Sequence, residues 1–303
     1  MKKAFFQLHL AVFLAGFTGV LGKLITLNEG LLVWYRLLIS AVTMWIIFSI
    51  SKKIKRILIT DALQIIGIGF IAAMHWVTFY GAIKYANISV ALVCFSAVGF
   101  FTALMEPLLL RVRIKWSEVL LGILVMVGIY IIFHFDPEYK VGIILGLLSA
   151  LLLAVMVILI RIVLQKINIE TVLTYQMSGG FLSLTILLPF YLQYFPVQNI
   201  LPSSTDWMWL FVLSWFCSVW AFQLSTSALK KLSAFTVNLT YNLEPVYGIL
   251  LAFIVYSENK ILGSSFFVGL SLIMASLVIH VWIILNQQKR EKLKGKVDAI
   301  PLM

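Results

Sequence analysis

The chain has 303 residues, 62% hydrophobic and 12% charged, with a mean hydropathy of +1.04. A water-soluble fold of this length lacks the interior to hide so much apolar surface, and soluble domains carry about twice the charge, so a soluble enzyme or binding domain is excluded. The formal charge of +11 sits in short clusters between long apolar runs, which is the pattern of membrane topology and not of a nucleic-acid partner.

A helix crossing the hydrocarbon needs about 20 mostly apolar residues. That length predicts ten spans, at 8–27, 31–50, 62–82, 88–110, 117–134, 141–164, 171–194, 207–228, 234–256 and 263–285. The fold class is therefore an all-α, polytopic membrane protein in the lipid bilayer.

The run after Met1-Lys2-Lys3 is too long for a signal-peptide core, so the first span is read as uncleaved. Ala11, Ala15, Gly19 and Lys23 recur in it at four-residue spacing, so a small-residue packing face leads to Lys23 at its C-terminal end. The second span carries Arg36 near its start, with Ser40 and Thr43 on the same face. A charge at that depth faces protein or water. Lys23 and Arg36 are read as a cationic pair at the outer mouth that receives a carboxylate or other anion. The plainer alternative is snorkelling, or a structural pair with Glu29.

The third span holds His75, Trp76, Thr78, Phe79 and Tyr80. His75 is either a hydrogen-bonded structural group or a ligand for substrate or protons. Trp76 and Tyr80 share a face suited to a cavity wall, with ordinary aromatic packing as the rival. In the fourth span Glu106 precedes Pro107 and lies about a turn from Arg111, so a local interfacial pair is expected. Cys94 and Cys217 lie in apolar runs without pairing or metal spacing, as small buried hydrophobes do.

Gly142, Gly146, Ala150 and Ala154 give the sixth span a close-packing stripe. Gln176 opens the seventh. The eighth offers Trp215, Phe222 and Gln223, with Trp207 and Trp209 as an interfacial belt. Glu244 is the most central charge of the chain, one residue before Pro245 and close to Asn238, Tyr241 and Asn242. Mid-helix, Pro245 would free the Tyr241 carbonyl, which is tolerated at that depth beside protein or a wet cavity. The ninth span is thus read as lining the substrate pathway. Glu244 is a candidate proton carrier, against a structural partnership with Lys or Arg. After 286 the chain turns polar and basic, and 287–303 reads as a disordered cytoplasmic tail.

Lys and Arg gather at the N-terminus, the even-numbered loops and the tail, which puts both termini in the cytoplasm. A faint repeat sets Ala82-Ile83-Lys84-Tyr85 against Ala228-Leu229-Lys230-Lys231, and Trp34-Tyr35-Arg36 against Thr174-Tyr175-Gln176. The halves, 1–137 and 138–286, then hold five spans each. An odd number forces them to cross in opposite senses, as in many secondary transporters.

The run from Ala15 to Lys23, followed by Trp34-Tyr35-Arg36, resembles the start of an EamA-type half of the drug/metabolite transporter superfamily. Leu243-Glu244-Pro245-Val246-Tyr247-Gly248, continuing to Glu258, resembles the family's ninth span. The match is uneven: Gly99 stands opposite Pro245, and Val112 opposite Glu258. The resemblance implies a ten-helix carrier of the inner, cytoplasmic membrane, usually an exporter of amino acids or other metabolites.

The expected function is alternating-access export of small organic metabolites. The expected substrate pathway is Lys23, Arg36, His75, Trp76, Tyr80, Gln176, Asn238, Tyr241, Asn242 and Glu244. A flippase of amphipathic lipid intermediates and a membrane-embedded enzyme are the alternatives. No nucleophile–base or metal constellation and no phosphate loop appears, so neither enzyme activity nor a cofactor is expected. The expected partners are a small-molecule substrate, the bilayer and protons as coupling ion, in a monomer or homodimer.

Overall fold

The computed structural model describes residues 2–135, 137–229, 240–241 and 243–297. Among these, all regular structure is helical. Eight helices are long and apolar enough to cross a membrane, and two shorter apolar helices, Trp116–Ile132 and Glu244–Tyr256, accompany them.

In chain order, α1 (Lys2–Gly16) and α2 (Thr18–Leu24) form one run, followed by α3 (Glu29–Ile50) and α4 (Ile59–Tyr85). Next come α5 (Ile88–Phe95), α6 (Val98–Leu110), α7 (Trp116–Phe135), α8 (Lys140–Val163) and α9 (Ile169–Tyr194). A single run then contains α10 (Ser204–Ser214), a π-turn (Trp215–Trp220) and α11 (Ala221–Leu229). The last two are α12 (Glu244–Tyr256) and α13 (Ser264–Val297). Side-chain caps set several starts. Asn28 accepts from the Leu31 amide, Asn87 from that of Val90, and Ser203 forms a capping box with Asp206.

Two expectations change. The helix α13 continues to Val297, into the stretch expected to be unstructured. The Gln, Lys, Arg and Glu residues there are good helix formers, and extending an existing helix is cheap. The expected ninth span falls partly on residues 230–239 and 242, outside the described residues. Glu244 opens α12 rather than sitting mid-helix, and Pro245 lies in its first turn. A missing N–H is no loss there, because first-turn amides have no intrahelical partner.

The helices α6 and α12 are the same element met twice. Each has 13 residues, and Val98 and Glu244 at their starts are 146 positions apart. So are Arg111 and Ser257, which end them in the left-handed conformation with φ of 54° and 52°. A bulky or hydroxylated residue rarely adopts that conformation without cause. Its recurrence at matched positions is a repeat written in backbone. Packing follows the same exchange of halves: α4 packs on α8 as α1 packs on α11, α3 packs on α9, and α7 on α13.

Glycines set the closest approaches. A Cβ on Gly69 of α4 would lie 2.6 Å from the Gly180 amide nitrogen of α9, and one on Gly128 of α7 2.7 Å from the Gly269 carbonyl of α13. Gly142, in the small-residue stripe of α8, lies on Ala82 and Ala86, and Gly146 on Cys94. Without a hydrophobic drive between helices in lipid, such contact is a main source of association.

The two ends of the bundle differ. In α5 every residue from Ile88 to Cys94 is buried, whereas in α6 only Ala103 is. The tightly packed end also holds buried carboxylates, Asp206 and Glu258. At the opposite end the ion pairs Lys53–Glu170, Lys115–Glu118 and Arg161–Glu106 all have exposed cations.

Candidate functional site

Arg36 is 4% exposed, inside the bundle. Its Nη1 donates to the Tyr80 hydroxyl at 2.7 Å and its Nε to Ser218 Oγ at 3.1 Å. The guanidinium carbon lies 4.4 Å from the centroid of the Trp76 ring, a cation–π contact. Three elements hold it: α3 carries it, α4 supplies Trp76 and Tyr80 one turn apart, and the π-turn presents Ser218. A π-turn inserts one residue into a helical repeat and often marks a functional position. Gly22 makes room for this arrangement, since a Cβ there would strike the ring of Tyr80.

None of the ion pairs among the described residues includes Arg36. A guanidinium has five N–H donors, and only two are committed to described partners. A buried cation without a counter-ion is costly. Glu244 lies near enough to interact electrostatically with Arg36. The start of α12 rests against the break between α1 and α2: a Cβ on Gly16 would lie 3.1 Å from the Glu244 carbonyl oxygen and the Gly248 nitrogen. A buried cation and a carboxylate that interact electrostatically therefore share one region.

Lys23 is elsewhere. Its ammonium pairs with Glu258 at 3.0 Å and lies 4.4 Å from the Tyr256 ring centroid. The expected cationic pair with Arg36 does not assemble. Nor does the plainer pairing with Glu29, which instead accepts from the Tyr191 hydroxyl at 2.7 Å. Glu258 wins because it is fully buried and already held by the Ile88 and Ser89 amides and Ser89 Oγ, at 2.7–3.2 Å.

His75 is buried, and its Nδ1 lies 2.8 Å from Ser149 Oγ and 3.0 Å from the Ser149 carbonyl oxygen, joining α4 to α8. That is the structural hydrogen-bonded alternative. Gln176 is 2% exposed and donates Nε2 to Met156 Sδ at 3.4 Å, and its Oε1 has no partner among the described residues. Tyr241 is hydrogen-bonded to Ser225. Asn238 and Asn242 lie outside the described residues. Glu106 pairs with Arg161 of α8 at 2.8 Å and not with Arg111, whose left-handed cap conformation interrupts the helical spacing the local pair needs. Ser218 was missed. A serine in an apolar run gives no signal of its own, and no glycine or proline marks the π-turn.

The model of the EamA-like transporter family matches the chain twice, over residues 2–134 and 140–282. The chain belongs to the EamA-like transporter family. It is a multi-pass membrane protein of the drug/metabolite transporter superfamily with two EamA repeats. One crystal structure of a protein superposes with a TM-score of 0.60 at 14% identity, covering 91% of this chain and 96% of that chain. At that identity the likeness speaks for the fold alone. No curated protein matches the chain. In this EamA chain the region around Arg36 draws on both repeats: Arg36, Trp76 and Tyr80 come from the first, Ser218 and Glu244 from the second.

Proposed function

We propose that this EamA protein is a secondary transporter that moves small organic metabolites, amino acids or related amphipathic compounds, across the cytoplasmic membrane. The observation that carries the reading is Arg36, a buried cation stacked on Trp76 with spare donors and no ion-pair partner among the described residues. A substrate carboxylate supplies the missing acceptor, and Glu244 across the same region suits an ammonium group or a transferable proton. The indole of Trp76 offers apolar surface to the rest of the molecule.

The architecture of this reading is ten helices in two inverted halves with both termini cytoplasmic, working as a monomer or homodimer without a cofactor. Transport proceeds by rocking of the halves around the Arg36–Glu244 region. The unequal ends support that cycle. The end with Glu258 and Asp206 is tied together by buried hydrogen bonds, while the Arg161 end carries exposed ion pairs and an α6 with little buried surface. We read these unequal ends as those of a carrier open to the basic, cytoplasmic side. Export then begins with substrate entering from that side.

The test is flux of radiolabelled amino acids in proteoliposomes, with and without a pH gradient, for the wild-type protein and Arg36→Ala. The reading requires flux in the wild type and its loss in the variant at equal expression. Wild-type flux in Arg36→Ala removes Arg36 from the site.

A further inference from the structure

A second feature lies about 10 Å from Arg36 along α3, seven residues at 1.5 Å each. A cavity of about 350 Å³ opens there between the start of α3, the end of α4 and the end of α9, lined by Asn28, Glu29, Tyr85, Tyr191, Tyr194 and Phe195.

Glu29 is 9% exposed and, among the described residues, accepts one hydrogen bond, from Tyr191. An ionised carboxylate can accept about four hydrogen bonds, so most of its capacity is unused. Lys84 interacts with Glu29 electrostatically, but the Lys84 ammonium donates its hydrogen bonds to the Ile25 and Leu27 carbonyls just after α2. The walls are aromatic. Tyr191 and Phe195 stack with centroids 4.9 Å apart, and Tyr194 is 80% exposed at the rim. Gly30 sets the floor, because a Cβ there would lie 2.7 Å from the Tyr191 ring.

We propose that this cavity is a binding site for a small organic ammonium ion, held by the Glu29 carboxylate and the faces of the surrounding tyrosines. A nearly buried carboxylate with one hydrogen bond from the described residues has room for a cation that binds it directly. An alkylammonium satisfies it while placing its C–H groups against aromatic faces, which attract cations through their quadrupole. Inorganic cations suit the site less well, since they need several oxygen ligands and gain little from aromatic walls. The inference stands apart from the transport reading, because Glu29 and Arg36 are separate groups and binding is measured without flux.

The experiment is calorimetric titration of the full chain in non-ionic detergent with tetramethylammonium. Saturable binding with a dissociation constant in the millimolar range is expected, weakened about tenfold or more by Glu29→Gln. Tyr194→Ala, at an exposed ring, is expected to weaken binding without lowering the unfolding temperature, which keeps the test open if Glu29→Gln does not fold. A neutral isostere, 3,3-dimethyl-1-butanol, should not compete. Nanodiscs separate the two sources of an ammonium group. Loss of tetramethylammonium binding in phosphatidylcholine discs, with retention in phosphatidylglycerol discs, assigns the site to a lipid headgroup; retention in both assigns it to a free amine. No saturation, or equal binding in Glu29→Gln and wild type, overturns the proposal.

Discussion

Lys23 and Glu258 lie 235 residues apart in the chain and 3.0 Å apart in space. The contact ties the end of α2 to the end of α12, and through Ser89 to the start of α5. It closes one end of the bundle across the two repeats. The position matched to Glu258 in the first repeat is Val112, whose side chain cannot accept such contacts.

The two partners are not equal. Glu258 is fully buried and accepts from three further donors, whereas the Lys23 side chain is 36% exposed. Glu258→Ala leaves buried amides and a cation without their acceptor and should cost about 3–5 kcal/mol. Lys23→Met leaves Glu258 with its other donors and should cost about 1 kcal/mol or less. Thermal unfolding in detergent reads both, and equal losses would contradict the assignment of Glu258 as the anchor.

Arg36→Lys tests geometry against charge. Lysine keeps the positive charge but cannot reach Tyr80 and Ser218 together while lying flat on Trp76. Flux should fall about 10- to 100-fold even though the charge is conserved. Full activity in Arg36→Lys would reduce the requirement to a point charge.

For Glu244 the readout is coupling. If its carboxylate carries the proton, Glu244→Gln should still exchange substrate across the membrane but should no longer respond to an imposed pH gradient. A retained response places the proton site elsewhere.

Two glycines two residues apart separate packing from propensity. A Cβ on Gly69 meets backbone of Gln176, Gly179 and Gly180, which cannot move aside, so Gly69→Ala should destabilise by about 1–3 kcal/mol or block expression. A Cβ on Gly67 meets nothing within 4 Å. Gly67→Ala should therefore be neutral or stabilising by up to about 1 kcal/mol. Unfolding temperatures of the two variants decide the point.

Much of the helical layout is legible in the residues because lipid imposes length and apolarity on every span. The run 88–110 and the helices α5 and α6 share both boundaries. The break between them at Ser96–Ala97 carries no proline or glycine and was not foreseen. Burial of Arg36 and the hydrogen-bonded role of His75 follow from the cost of polar groups at depth. Partners are another matter. Glu258 reaches Lys23, and Arg161 reaches Glu106, across helices far apart in sequence. Local spacing instead pointed to Glu29 and Arg111. Ser218 depends on a π-turn that no residue type announces.

The most direct test of the inverted halves is the sidedness of three single-cysteine labels, at Lys3, Glu138 and Arg290, in a background lacking Cys94 and Cys217. With membrane-impermeant maleimide, Lys3→Cys and Arg290→Cys should react from the same side and Glu138→Cys from the other. Glu138→Cys reacting from the same side as Lys3→Cys would mean that the halves are not inverted, and the carrier built on them would fall.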